Sequence, residues 1–137
     1  MTPWRALLVP GLAPAALDRL AAESAAAGWI VDPADPRLRV AACAGAPGCR
    51  RGTTPVLRDA AALATLLGPG DGVALHVSGC AKGCAHPGPA PLTLVAAEGR
   101  YALVVDGAAG GVPAASGLDA AEAHRLMTTI LRPDRRP

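Results

Sequence analysis

The sequence predicts an α+β protein of one small domain's length. Three observations carry that reading. The chain has 137 residues. Short apolar runs of strand length, closed by Pro or Gly, alternate with stretches in which Leu and Ala recur at helical spacing. Those runs are ordered as strand, helix, strand twice over, followed by a hairpin and a closing helix.

The elements follow in order. Arg5–Val9 reads as a strand stopped by Pro10-Gly11, and Ala15 to Ala27, with Leu17 and Leu20 three apart, reads as a helix ended by Gly28. Trp29-Ile-Val31 resumes an extended run before the turn Asp32-Pro-Ala-Asp-Pro36, where each Pro biases its predecessor away from helix. The first third is therefore a β-α-β unit, with Trp4 and Trp29 filling its core against the helix. Leu38 to Ala42 is a short strand running into Cys43, and the loop 44–48 leads to Cys49. Thr53 or Thr54 caps the next helix, whose first turn takes Pro55 and whose apolar positions run from Val56 to Leu67. Val73–Val77 is a strand that delivers the chain into Ser78-Gly-Cys-Ala-Lys-Gly-Cys84. Leu92–Ala96 and Tyr101–Val105 flank a turn at Glu98-Gly-Arg100 as a β-hairpin. Asp106 to Gly117 reads as a loop, Asp119 to Leu131 as a helix, and Pro133 as its stop before a basic tail.

Composition narrows the function classes. Apolar residues make up 51% of the chain, but 32 of them are Ala, there is no Phe, and Trp and Tyr number two and one. The core is thin. With 16 Gly and 14 Pro, such a chain leans on a metal centre, a partner surface or another half, although GC-rich coding would also produce this composition. A net charge of +2 without a Lys/Arg run speaks against nucleic acid. The start lacks the pattern of a signal peptide and no apolar run reaches membrane-spanning length. A soluble cytoplasmic protein with no membrane partner is expected, and in that compartment four cysteines read as ligands or catalytic groups rather than disulfides. No Ser-His-Asp order, phosphate-binding loop or dinucleotide fingerprint is present.

The cysteines form two pairs, Cys43-x5-Cys49 and Cys80-x3-Cys84, each beginning where a predicted strand ends. If the strands flanking the intervening helix are parallel neighbours in a right-handed crossover, both end on one edge of the sheet. Four sulfurs then converge on loops where Gly45, Gly48, Gly79 and Gly83 admit a bulky inorganic group. Structural zinc sites use knuckles of two to four intervening residues, so the wider first loop favours a cluster with separate iron corners over zinc. Four buried free cysteines are the bland alternative.

The second pair is embedded in His76-Val-Ser-Gly-Cys-Ala-Lys-Gly-Cys-Ala-His-Pro87. Together with the first pair it resembles the cluster-binding signature of the nitrite and sulfite reductase superfamily. Within that superfamily the chain is most similar to the carboxyl-terminal half of the precorrin-3B synthase family, through Thr2-Pro-Trp-Arg5, Asp32 to Arg39, Pro91 to Val95 and Gly99-Arg-Tyr101 as well. The resemblance extends over nearly the whole chain.

It implies a ferredoxin-like β-α-β segment over 1–37, a mixed α/β cluster-binding domain of the nitrite/sulfite reductase type over 38–132, and a tail at 133–137. It implies Cys43, Cys49, Cys80 and Cys84 as ligands of a 4Fe-4S cluster, with sirohaem or a mononuclear non-haem iron as a further centre. In sirohaem-containing relatives the thiolate matching Cys84 also bridges to the haem. The implied activity is an oxidoreductase's: oxygen-dependent hydroxylation and lactone formation on precorrin-3A in aerobic cobalamin biosynthesis, fed by an electron donor. Lys82-Gly83 stands where the sirohaem reductases carry an Asn-containing turn, which favours the precorrin branch, and Ala44 replaces a frequent Pro. Family members have two related halves and this chain resembles the second, so it reads as a natural fragment, as a split subunit whose partner chain supplies the amino-terminal half, or as a cluster-binding relative with a different task. The alternatives are half of a sirohaem-dependent nitrite or sulfite reductase and a non-enzymatic 4Fe-4S subunit.

Around the centre, Lys82, His86, Arg50 and Arg51 are the candidate substrate-binding residues, because a tetrapyrrole carries several carboxylates that need cationic anchors. Arg39 and Arg58 also flank the first pair. The alternative for each Arg and for Lys82 is a solvated loop cation, and for His86 a polar contact behind the ligands. His76 reads as a satisfied structural histidine within a strand and His124 as a surface residue. No catalytic residue is assigned.

Overall fold

The computed structural model describes residues 6–132. They fall into two compact units divided between Pro33 and Ala34. Arg5, Trp4 with the rest of the Thr2–Arg5 stretch, and the tail 133–137 lie outside the described residues.

In the first unit, α1 spans Pro14–Ala26, with a Pro in its first turn. Past it, Gly28 takes φ of +86°, the left-handed conformation that a helix end favours in glycine. The strands expected on either side are corrected. Neither 6–9 nor 29–31 is a strand among the described residues, because an extended run becomes one only by joining a ladder. Leu8 is 81% exposed and Trp29, expected in a core, is 49% exposed. No residue of α1 is buried.

The second unit holds a five-stranded mixed sheet in sequential order: β1 (Val40–Ala42), β2 (Leu75–Ser78), β3 (Ala90–Ala97), β4 (Arg100–Gly107) and β5 (Ala115–Leu118). β1, β2 and β3 are parallel neighbours, and β4 and β5 are added antiparallel. The α+β class is as expected. A 3-10 turn over Pro36–Arg39 replaces the start expected for the first strand, because the Asp35 carboxylate accepts the Arg37 N–H and caps it.

α2 (Val56–Ala64) and α3 (Ala120–Leu131) pack on one face of the sheet. Leu75, Val77, Leu92, Leu94 and Leu103 from the sheet meet Val56, Ala60 and Leu63 of α2 and Ala123 and Met127 of α3 there. α2 ends three residues earlier than its apolar pattern because Leu66 and Leu67 donate to the carbonyls three residues back, winding tighter while staying buried. Pro55, not Thr53 or Thr54, is its N-cap residue, without a side-chain cap. α3 starts on a reciprocal box in which the Glu122 N–H donates to Asp119 Oδ1 and the Asp119 N–H to Glu122 Oε2, both at 2.8 Å.

The hairpin turn is Glu98-Gly99, with φ of +52° and +76°, the twist that suits two tight strands. β5, expected as loop, is a short edge strand containing Gly117. Its pairing with β4 is irregular, which leaves no alternating pattern to read.

The opposite face of the sheet carries His76, Thr93 and Val104, which stand in one row across β2, β3 and β4. Beside them is a small cluster of Val95, Val104 and Ala109. β2 and β3 are parallel, yet the connection between them, residues 79–89, contains no helix. Parallel neighbours ordinarily need a crossover of a dozen or more residues. Here the crossover is the second cysteine loop, and Gly83 within it packs against Ala109 and over His76.

Candidate metal centre

β1 and β2 are adjacent and parallel, so the chain leaves both at the same edge of the sheet. Cys43 follows the last residue of β1, and Cys80 comes two residues after the last of β2.

The first loop is folded tightly on itself. The Cys49 N–H donates to the Gly45 carbonyl at 2.6 Å, the Gly52 N–H to the Cys49 carbonyl at 3.0 Å, and the Ala46 N–H to the Thr54 carbonyl at 2.8 Å. Gly45 is obligatory here: at φ of +59° a Cβ would lie 2.6 Å from that of Val56 and 2.8 Å from the Thr54 carbonyl oxygen. The second loop is shaped by Ser78, whose hydroxyl donates to the Cys80 carbonyl at 2.7 Å, and by the turn bond from the Gly83 N–H to the same carbonyl at 3.4 Å.

The two loops meet. The backbone N–H of Gly79 donates to Cys43 Sγ at 3.1 Å. A Cβ at position 79 would come within 3.4 Å or less of Cys43 Sγ, Gly45 Cα and Gly52 Cα. All four cysteines are free; Cys43, Cys49 and Cys80 are half-buried and Cys84 is exposed. None is buried, so the reading as four inert core cysteines does not describe them.

Among the described residues, no group of three or more His, Cys, Asp or Glu side chains is arranged to hold a metal ion. A 4Fe-4S cluster takes its four thiolates at separate iron corners. Cys43, Cys49, Cys80 and Cys84 are free thiols, the chemical type such a cluster takes, on two loops that touch where the Gly79 N–H meets Cys43 Sγ.

The candidate substrate residues are solvent-facing. Arg50, Arg51 and Lys82 are exposed, and none of the three has an ion pair or side-chain hydrogen bond among the described residues. Arg39 is engaged elsewhere, donating to the Gly68 carbonyl at 3.0 Å. Arg58 pairs with Asp59 at 3.1 Å. His86 is half-buried, with Nε2 3.1 Å from the Pro89 carbonyl oxygen.

Two histidines differ from expectation. His124 is half-buried rather than surface. It lines a cavity of about 220 Å³ with Asp59, Tyr101 and alanines of α2 and α3. His76 is fully buried but unsatisfied, since neither ring nitrogen has a hydrogen-bond partner. Burial, with His86 close by, holds its imidazole below the ordinary histidine range and hence neutral. Its alternation on β2 was legible in the sequence; the missing partners were not.

No helix among the described residues is long and apolar enough to cross a membrane. No family model matches the chain. The chain is similar to the precorrin-3B synthase of Sinorhizobium sp, with 40% identity over 128 residues, covering 84% of this chain and 26% of that protein. The resemblance read from the cysteine motifs is borne out at the level of sequence, and the chain spans about a quarter of the length of the curated relative it matches.

Proposed function

We propose that this chain is the cluster-bearing part of a cytoplasmic enzyme of the precorrin-3B synthase kind, and that Cys43, Cys49, Cys80 and Cys84 hold a 4Fe-4S cluster. The observation that carries the reading is the Gly79 N–H directed at Cys43 Sγ, which ties the start of the second cysteine loop to the first ligand. Backbone donors to sulfur are one of the means by which a protein sets a cluster's potential. When bound, such a cluster supplies one-electron redox chemistry; the fold contributes orientation and potential.

The cations do different work. Arg50, Arg51 and Lys82, exposed and uncommitted, suit the acetate and propionate groups of precorrin-3A, the tetrapyrrole that would undergo hydroxylation and lactone formation. The remaining walls of the site, the electron donor and any further centre, sirohaem or mononuclear non-haem iron, would come with the portion that the relative has beyond this match, on the same polypeptide or a partner chain.

Anaerobic purification followed by iron and acid-labile sulfide analysis and electron paramagnetic resonance tests the reading. We expect about four irons and about four sulfides per chain and a cluster signal on one-electron change. Stoichiometric zinc without sulfide, or cysteines that bind no metal, would overturn it.

A further inference from the structure

His76 takes no part in the ligand set above. It sits in the middle of the sheet, in register with Ala41 on β1 and Thr93 on β3, at 0% exposure. A neutral imidazole has one N–H to donate and one nitrogen to accept, and buried groups of that kind are almost always paired. The neighbours are spoken for. The Thr93 hydroxyl donates to the Gly107 carbonyl at 2.7 Å. The His86 ring meets His76 edge-on, with centroids 5.8 Å apart and planes at 74°, while its Nε2 faces the Pro89 carbonyl oxygen.

The orientation of the ring is informative. Cε1, the carbon between the two nitrogens, lies 3.6 Å from where a Cβ on Gly83 would stand. Gly83 is in the middle of the Cys80–Cys84 turn, with φ of +64°, and is held from the other side by Ala109 Cβ at 3.1 Å from the same point. The carbon between the two nitrogens of a fully buried imidazole thus lies against the middle of the turn that carries two of the four thiols, while no sulfur stands within hydrogen-bond distance of either nitrogen. A leucine would fill this position without burying unpaired nitrogens, so the polar ring needs a partner that the polypeptide does not provide.

We propose that His76 is a positioning residue whose ring N–H donates to an anionic sulfur, cysteinyl or inorganic, seated on the Cys80–Cys84 turn when the site is loaded. This rests on the cluster reading. The hydrogen bond stabilises the more negative, reduced form of the bound group and so raises its potential.

The test uses the full chain purified without oxygen, as wild type, His76→Leu, His76→Gln and, as a control on an unrelated helix, His124→Gln. Each is assayed for iron and sulfide, midpoint potential by spectroscopically monitored titration, and Fe–S stretching bands by resonance Raman. We expect His76→Leu to keep its iron, to shift the midpoint to more negative values and to show a smaller shift of those bands on exchange into deuterium oxide, the remainder coming from the Gly79 N–H on Cys43 Sγ. His76→Gln, which retains an N–H donor, recovers part of both, and His124→Gln matches wild type. Labelling with heavy sulfide separates the two sources: coupling to the label of the deuterium-sensitive component that His76→Leu removes identifies inorganic sulfur, and its absence identifies a cysteine.

A loaded His76→Leu protein with unchanged midpoint and bands overturns the inference while leaving the cluster reading intact. If His76→Leu loses its iron, His76→Gln must retain it; equal loss from both overturns a donor role. Wild type without iron and sulfide overturns the cluster reading, and this inference with it.

Discussion

Gly79 donates its backbone N–H to Cys43 Sγ at 3.1 Å, joining residues 36 apart in sequence. Close approach is possible because position 79 has no side chain: the nearest atoms to a Cβ there are Cys43 Sγ and Gly45 Cα, both at 3.3 Å. Two motifs that are separate in the sequence thereby share one wall.

Gly79→Ala should disturb that wall without removing the donor. The added methyl requires the sulfur and two backbone segments to give way by a few tenths of an ångström. Overpacking of this kind costs about 1–3 kcal/mol. A lowered urea midpoint with fewer irons per chain is the expected result; an unaltered protein on both measures would show that the contact is loose.

Cys84→Ser separates ligation from packing. Because Cys84 is exposed, replacing sulfur by oxygen disturbs little buried surface, and surface changes ordinarily stay within about 0.5 kcal/mol. The loaded wild type should melt well above Cys84→Ser, since metal-binding energy is also folding energy. The two proteins should converge once a chelator has stripped the metal from both.

Tyr101 is the chain's single tyrosine. Its hydroxyl donates to Asp59 Oδ2 at 2.8 Å. Burial first, then the neighbouring Asp59 carboxylate, pushes the phenol above the ordinary tyrosine range. Between the unfolded pKa of about 10 and the higher folded one, the unfolded chain has lost a proton that the folded chain keeps. Stability therefore falls as pH rises through this window. Denaturation midpoints should drop more steeply above pH ~10 in wild type than in Tyr101→Phe, and phenolate absorbance should appear only with unfolding. At neutral pH, loss of a hydrogen bond to a charged group should cost Tyr101→Phe about 1.5–3 kcal/mol.

Arg50→Ala combined with Arg51→Ala should leave folding almost unchanged, within about 0.5 kcal/mol, because neither guanidinium has a partner among the described residues. Calorimetry with uroporphyrin as a polycarboxylate probe should show weaker, less salt-sensitive binding. Identical isotherms for variant and wild type would remove these two residues from the proposed substrate surface.

The sequence made the strand-helix-strand carrying the cysteines legible because helical spacing from Val56 onward and the strand-then-cysteine order are local signals, and β1 and β2 are indeed parallel neighbours. Leu7, Val9 and Trp29 misled because the same apolar runs fit a strand or an uncovered surface, and only a ladder decides. β5 was missed because Gly117 and a one-residue register shift against β4 erase its alternation. At the candidate centre the spacing placed the two cysteine pairs on the loops that follow β1 and β2, where they lie. The Gly79 contact and the unsatisfied ring of His76 depend on loops meeting in space, which no spacing along a chain records.

The helix-free link between β2 and β3 makes one stretch of backbone both scaffold and carrier of two candidate ligands. Residues 79–89 hold the middle of the sheet together and present Cys80 and Cys84. Oxidative damage at those thiols would therefore loosen the central strands as well as remove the proposed ligands, so a chain unable to take up a cluster would also become vulnerable to proteolytic clearance.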